Sequence, residues 1–247
     1  MKPLTLLTLH LPMTNIIVWL SPKTAGASSV SFNAALLQKS LNPSERIVFT
    51  EFSPYSSQSV LFEGADHWGL LPPFLNTSEW NQALLHRTNK AFSVPVWWSP
   101  TGKNFPTFDL AFAEAYYQLL TESFDTVHID LSMRSGDGWQ EFWHKKANKI
   151  MGVVTPDPLS LSAWQAWQQV QPTDRNISWV LNQVHPTEFK NLTASFADDT
   201  PKLRGILRQE LASFWQQTYA GVPVCWQQKS KFKKDLYTTL QHLKLVL

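Results

Sequence analysis

Residues 16–40 decide the fold, and they read IIVWLSPKTAGASSVSFNAALLQKS. The first five are apolar and mostly β-branched, and Ser21-Pro22 ends the run, which is typical of a strand buried in a parallel sheet. From Val30 onward, apolar residues return at helical spacing, after serines that favour a helix N-terminus. The stretch therefore predicts a strand, a short loop and a helix.

The same alternation continues along the rest of the chain. Strands are predicted over residues 46–52, 94–98, 125–131, 150–154, 177–182 and 221–225. Helices are predicted over residues 28–40, 78–88, 109–121, 159–170, 203–219 and 231–245. Alternation of this kind predicts one α/β domain over residues 1–247, with a mostly parallel central sheet and helices on both faces.

The composition fits a folded domain in which the backbone rarely approaches a ligand closely. Of 247 residues, 43% are hydrophobic and 16% are charged, which excludes wholesale disorder. The chain has 12 Trp but only 9 Gly, whereas average usage predicts about 17 glycines. Since glycine permits left-handed backbone and close approach, phosphate-binding loops are expected to be scarce.

The charge and the cysteine content exclude several classes of function and of binding site. The net charge of +2 is too small to indicate nucleic-acid binding, which needs a focused basic face. One cysteine, Cys225, excludes an internal disulfide and a cysteine metal cluster, and fits a reducing, cytoplasmic location. The seven histidines show no metal-ligand spacing.

The N-terminal segment has two interpretations. Residues 4–20 are mostly apolar and could form a signal peptide, but His10, Pro12 and Asn15 interrupt the run and no clean small-residue cleavage site follows. The favoured interpretation is a buried strand preceded by a poorly ordered extension over residues 1–14.

Three segments, in order, resemble the MinD/ParA branch of P-loop ATPases. Residues 21–30 (SPKTAGASSV) are similar to the family's deviant phosphate loop, KGGxGK[ST]T, which follows a strand and opens a helix. Residues 124–131 (FDTVHIDL) are similar to the Walker B strand YDxVIIDLP, and residues 153–161 (VVTPDPLSL) with 179–184 (WVLNQV) to the family's next two strands. The resemblance implies a P-loop NTPase-like fold. Its loop is most similar to that of CpaE/TadZ-type pilus-assembly proteins, KGGVGASTVA.

The resemblance can be aligned in two registers at the loop. With one residue deleted before Gly26, residues 26–30 (GASSV) align with GASTV, and Ala27 takes the place of the Walker lysine. Without the deletion, Ser28 falls on that lysine and Ser29 on the following Ser/Thr. The first register matches more residues and is favoured. In both, the lysine that reaches the β- and γ-phosphates is missing.

The resemblance implies roles at three further positions, each with a simpler alternative. Lys23 matches the lysine that reaches across the family's dimer interface, or is a solvated lysine beside a turn. Asp130 matches the Walker B acid, which with Ser28 would hold Mg²⁺, or is a strand-end acid. Asn182 matches the residue that contacts adenine, although a loop-capping role is favoured. The resulting vestigial nucleotide site comprises Lys23, Gly26, Ala27, Ser28, Ser29 and Asn182.

The water-positioning segment also departs from the family. Residues 51–55 (EFSPY) stand where the family has DxDPQ, so Ser53 replaces the acid and Glu51 is a misplaced substitute. Phosphoryl transfer depends on positioning and charge neutralisation. With the lysine, the acid and the loop glycines lost, no catalytic residue set is intact and a pseudo-ATPase is predicted. ATP with Mg²⁺ is the only cofactor that the resemblance suggests, and its predicted binding is weak or lost.

The resemblance implies a cytoplasmic factor that localises or assembles a type IV or Flp-type pilus at the inner face of the membrane, acting as a homodimer. Trp139 and Trp143 follow the Walker B strand, where the family's dimer interface lies, and are the predicted contacts. One alternative is an active ATPase with an unusual loop, acting in positioning or partitioning on membrane or DNA. Another is a membrane-surface adaptor using the basic, amphipathic segment from Lys229, for which a closing helix of the fold is the favoured interpretation.

Overall fold

A computed structural model describes residues 14–22, 25–53, 94–98, 107–133, 136–171, 176–196, 202–220 and 222–246. Nearly all of the expected N-terminal extension, the predicted helix at residues 78–88 and Lys23 lie outside these ranges.

The described residues form a parallel sheet with helices between its strands. The strands are β1 (Asn15–Leu20), β2 (Ile47–Phe52), β3 (Val96–Trp98), β4 (Thr126–Leu131), β5 (Lys149–Val154), β6 (Ile177–Val184) and β7 (Leu203–Arg208). The helices are α1 (Ala27–Leu41), α2 (Leu110–Ser123), α3 (Asp137–Lys146), α4 (Pro158–Gln169), α5 (Phe189–Phe196), α6 (Leu211–Ala220) and α7 (Lys231–His242), with a 3₁₀ turn at Val224–Trp226.

The strand order is β3-β2-β4-β1-β5-β6-β7, and every neighbouring pair is parallel. Parallel strands must be joined by crossovers, which place helices over both faces. Alternate residues of β1 accordingly enter two separate cores. Ile17 and Trp19 pack beneath α1 and α7, whereas Ile16 and Val18 pack beneath α2, α3 and α4. The predicted α/β architecture with a parallel sheet covered on both faces is confirmed.

The second core is built largely from aromatic rings, and Gly152 of β5 makes room for one of them. Trp164 of α4 is 1% exposed and lies against this glycine. A Cβ atom at Gly152 would approach Trp164 Cη2 to 2.2 Å, well inside van der Waals contact. Trp164 therefore packs α4 onto the sheet, and the missing side chain at Gly152 makes room for its indole.

Gly152→Ala is expected to lower the free energy of unfolding by about 2 kcal/mol, because overpacking forces the indole or the strand to shift. Urea denaturation of the single and double variants with Trp164→Leu measures the coupling between the two sites. The alanine should cost much less once the ring is gone. Strictly additive costs would show that the ring is not what the added methyl meets.

Two predictions about the C-terminal third are wrong. Residues 203–219 were predicted as one helix, but they form β7 and α6, because Leu203–Arg208 pairs with β6 along its edge. Residues 221–225 were predicted as a final strand, but the described part begins a 3₁₀ turn after Pro223. Proline has no N–H to donate to a ladder, so this segment could not extend the sheet.

The closing helix is confirmed at Lys231–His242. Its apolar residues Phe232, Leu236 and Leu240 are fully buried beneath the sheet, and Arg208 of β7 binds Asp235 through its guanidinium at 2.6 Å. Because this apolar stripe lies in the core, burial favours the closing-helix interpretation over a membrane-surface helix. In the described part of the chain, no helix is both long and apolar enough to cross a membrane.

Candidate functional site

The carboxyl ends of β1, β2, β4 and β6 meet the N-terminus of α1 at one edge of the sheet. Gly26 stands before α1 in left-handed conformation, with φ +81° and ψ +29°. The first intrahelical bond runs from Val30 N–H to the Gly26 carbonyl, at 3.0 Å. The N–H groups of the preceding three residues therefore have no acceptor within the helix, which is the arrangement that binds anions at helix N-termini.

Asn182 holds the loop against the end of β6. Its side-chain amide donates to the carbonyl of Ala25 at 2.8 Å, and both residues are buried. A Cβ atom at Gly26 would lie 2.9 Å from Asn182 Nδ2, so close approach and left-handed backbone both require glycine here. The neighbouring Gln183 has a positive φ of 60°, which is unusual for a residue with a side chain. Asn182 thus has the loop-fixing contact that its favoured interpretation predicts.

Two carboxyl groups lie side by side next to this loop. Glu51 of β2 pairs directly with Asp130 of β4, and both are buried. Burial, and next the nearby Glu51 carboxylate, raise the pKa of Asp130 to about 8, while a hydrogen bond with Ser28 opposes the increase. At neutral pH Asp130 is therefore mostly protonated.

The remaining candidate residues lie close to this pair. Ala27 and Ser28 form the start of α1, and Ser29 accepts a hydrogen bond at its carbonyl from Asn33. Ser53 follows β2 directly and is buried. Ser28, Glu51 and Asp130 supply the hydroxyl and carboxylate oxygens that suit Mg²⁺, but no larger set of metal-binding acids, histidines or cysteines occurs within the described ranges.

The expectation that Trp139 and Trp143 contact a partner is corrected by their burial. Trp139 is 1% exposed and Trp143 is fully buried, both in the core beneath α3. Phe52 packs against both indoles, with ring centroids 5.1 and 5.2 Å away. These tryptophans therefore complete the protomer itself and present no surface to a second molecule.

A polar network beneath the site was missed in the sequence. His128 lies two residues before Asp130 and is fully buried, with its Nδ1 accepting from Trp19 Nε1 at 3.1 Å. Since an indole N–H can only donate, His128 Nε2 carries the proton and donates to Gln38 at 2.9 Å. Burial lowers the pKa of His128 to about 3, so it is neutral. The available signal was a histidine between Val127 and Ile129 in a strand that the sequence predicts.

Comparison with solved structures gives high similarity over nearly the whole chain. A ParA family ATPase from Chlorobium tepidum has a TM-score of 0.71 at 14% identity, covering 93% of this chain and 99% of that chain. MinD cell division protein from Aquifex aeolicus gives 0.70 at 16%, covering 94% and 97%. The cell division ATPase MinD of Pyrococcus furiosus gives 0.68 at 15%, covering 94% and 99%.

Similarity is far weaker in sequence than in structure. No protein-family model matches the chain, and no curated protein matches its sequence. The structural likeness nevertheless covers 93–94% of this chain in all three cases. The chain therefore has the fold of the MinD/ParA ATPases.

Proposed function

We propose that this chain is a localisation or assembly factor of the MinD/ParA type that works without turning over ATP. The observation that carries the proposal is the pair of buried carboxyl groups, Glu51 and Asp130, beside a loop whose helix begins with Ala27-Ser28 and contains no lysine in its first turn. A phosphate at this N-terminus would gain only the partial positive charge of the helix and would face two acids.

The site has oxygen ligands for Mg²⁺ but lacks the lysine that would bind phosphate. Ser28 and Asp130 are in contact, as a hydroxyl and carboxyl that share a magnesium ion would be, which supports the register that places Ala27 on the Walker lysine. Ser28, with Asp130, would then hold Mg²⁺, and the metal would neutralise phosphate charge. The phosphate side lacks its lysine, so weak nucleotide binding without hydrolysis is the most that we assign.

The loop sequence suggests the cellular process, and the family resemblance suggests a homodimer. We assign the chain to assembly of a type IV or Flp-type pilus, because residues 26–30 (GASSV) resemble the GASTV loop of that branch. The corresponding location is the cytoplasm, at the inner face of the membrane. A homodimer is proposed by analogy with the dimer that the resemblance implies. With Trp139 and Trp143 buried, its contacts must come from other residues.

Calorimetric titration of the chain with ATP and Mg²⁺ tests the proposal. We expect a Kd above about 1 μM, which means a binding free energy weaker than about −8 kcal/mol. We also expect no phosphate release. Ala27→Lys should raise the affinity about tenfold or more by restoring a charged hydrogen bond. Ser29→Lys, which adds the same charge two positions along, is the matched control and should not.

Micromolar binding by the unaltered chain that disappears in Asp130→Ala would contradict the proposal and favour a working ATPase. Equal gains from the two lysine variants would contradict the register, since the added charge alone would then explain the effect. Sedimentation velocity with and without ATP and Mg²⁺ tests the dimer. A monomer at all protein concentrations, with no response to nucleotide, would remove the homodimer from the proposal.

A further inference from the structure

A second site lies at the opposite, amino-terminal edge of the sheet. A cavity of about 370 Å³ opens between the starts of β5, β6 and β7 and the carboxyl end of α7. Its polar lining comprises Lys149, Arg204, His242, Lys244, Asn176 and Ser178. The candidate nucleotide loop lies beyond the other ends of these strands, so the two sites are separate.

Among the residues that the structure describes, the cavity is lined by cations and by no acid. Lys149 begins β5 and is half-buried, Arg204 lies near the start of β7, and Lys244 follows α7. Within the described residues, none of these three side chains forms an ion pair. Burial, and next the nearby Lys244, lower the pKa of Lys149, which shows that the positive charges oppose one another. A bound anion would favour the charged form of Lys149 and so offset the effects of burial and of Lys244 on its pKa.

Hydrogen-bond donors remain available at the same place. Lys149 Nζ donates to the Leu243 carbonyl at 2.8 Å, which uses one of its three N–H groups. Arg204 Nε donates to Ser178 Oγ at 3.3 Å, so the two terminal nitrogens of the guanidinium keep their donors. His242 Nδ1 donates to the Arg204 carbonyl at 2.9 Å, which fixes the ring beside them.

Lys244 occupies a backbone position that favours glycine. Its φ is +56°, and the Leu245 N–H bonds back to the Leu240 carbonyl at 3.0 Å, which is the pattern of a left-handed helix cap. A side chain in this conformation costs stability relative to glycine. The helix end alone therefore does not explain the lysine, whereas a cationic cavity does.

We propose that this cavity binds a phosphate group, carried either by a small solute or by a phospholipid headgroup. Three cations and a histidine match the charge of a phosphate, and the planar fork of Arg204 suits its oxygens. The cavity volume admits a phosphorylated small molecule or headgroup but no folded partner. The site is independent of the nucleotide loop.

Calorimetric titration of the full chain with pyrophosphate tests the solute arm. Lys244→Gly should lower the affinity about tenfold by removing one charged donor. It should keep or raise the melting temperature, because glycine suits the backbone there. Lys234→Gln, which removes one exposed charge from the N-terminal part of α7, is the charge-matched control and should leave the affinity unchanged. Arg204→Gln is a second variant that reports on the cavity.

Flotation with phosphatidylcholine vesicles, with and without phosphatidylglycerol, tests the headgroup arm with the same variants. Binding in either arm that falls in Lys244→Gly and Arg204→Gln but not in Lys234→Gln supports the site, and the responding arm identifies the source of the phosphate. Absence of binding in both arms, or an equal loss in Lys234→Gln, overturns it. Neither outcome depends on whether ATP binds at the other edge.

Discussion

Asp130→Asn is expected to make the protein more stable, by about 3 kcal/mol near pH 7.5. Asp130 is buried beside Glu51, and both features raise the pKa of its carboxyl group to about 8. The native state must therefore either keep a proton on this group or hold two neighbouring charges out of water. Asparagine has nearly the same shape, can still bond with Ser28 and carries no charge.

The stabilisation by Asp130→Asn depends on pH. In the unfolded chain the Asp130 pKa is close to its ordinary value of 3.8. Between that value and about 8 the native state binds one proton more, so this group's contribution to stability falls as the pH rises through the window. Urea denaturation across pH 5 to 8.5 should show a gap between variant and unaltered chain that widens with pH.

Glu51→Gln is the matched control, because it removes the neighbouring charge and should also stabilise the chain. A working magnesium site behaves in the opposite way: Mg²⁺ would stabilise the unaltered protein and the asparagine would remove that gain. If the Asp130→Asn variant unfolds more easily than the unaltered chain at pH 8, then Asp130 is not a buried, protonated carboxyl group in the native state. The experiment thus distinguishes a buried, protonated Asp130 from a carboxylate that binds Mg²⁺ in the native state.

The fold could be predicted because its signals are local. Buried strands such as residues 16–20 are short apolar runs between turn residues, and α4 begins where Asp157 caps its first turn by accepting from Ser160 N–H. The failures lie where tertiary contacts decide. Residues 203–208 (LRGILR) lack strand-forming alternation and become β7 because β6 offers an unpaired edge.

The candidate site could be predicted in position but not in chemistry. Parallel strands bring Ser28, Glu51 and Asp130 to one edge, as the motif order indicates. That Glu51 and Asp130 would be buried as a pair depends on strand register, which no local pattern gives. The two tryptophans after β4 were assigned to a partner by position alone, whereas α3, which the sequence did not predict, turns them into the core.

His128→Phe is expected to lower the free energy of unfolding by about 3 kcal/mol at pH 7, since two buried polar groups lose their partners. Trp19 Nε1 loses its acceptor and Gln38 Oε1 loses its donor, while the ring stacking on Trp19 is kept. Gln38 Nε2 also donates to Glu45 Oε1 at 2.8 Å, so the network ties the carboxyl-terminal half of α1 to β1 and β4.

The same substitution removes a specific response to acid. Burial holds the pKa of His128 near 3 in the native state, against 6.5 when unfolded. Between these values the unfolded chain binds one proton more, so the stability that the neutral histidine provides is present above pH 6.5 and is lost as the pH falls toward 3. The gap between unaltered chain and His128→Phe should therefore be largest at pH 7 and shrink by about 3 kcal/mol toward pH 4. A gap that stays constant with pH would show that His128 is not held neutral in the native state.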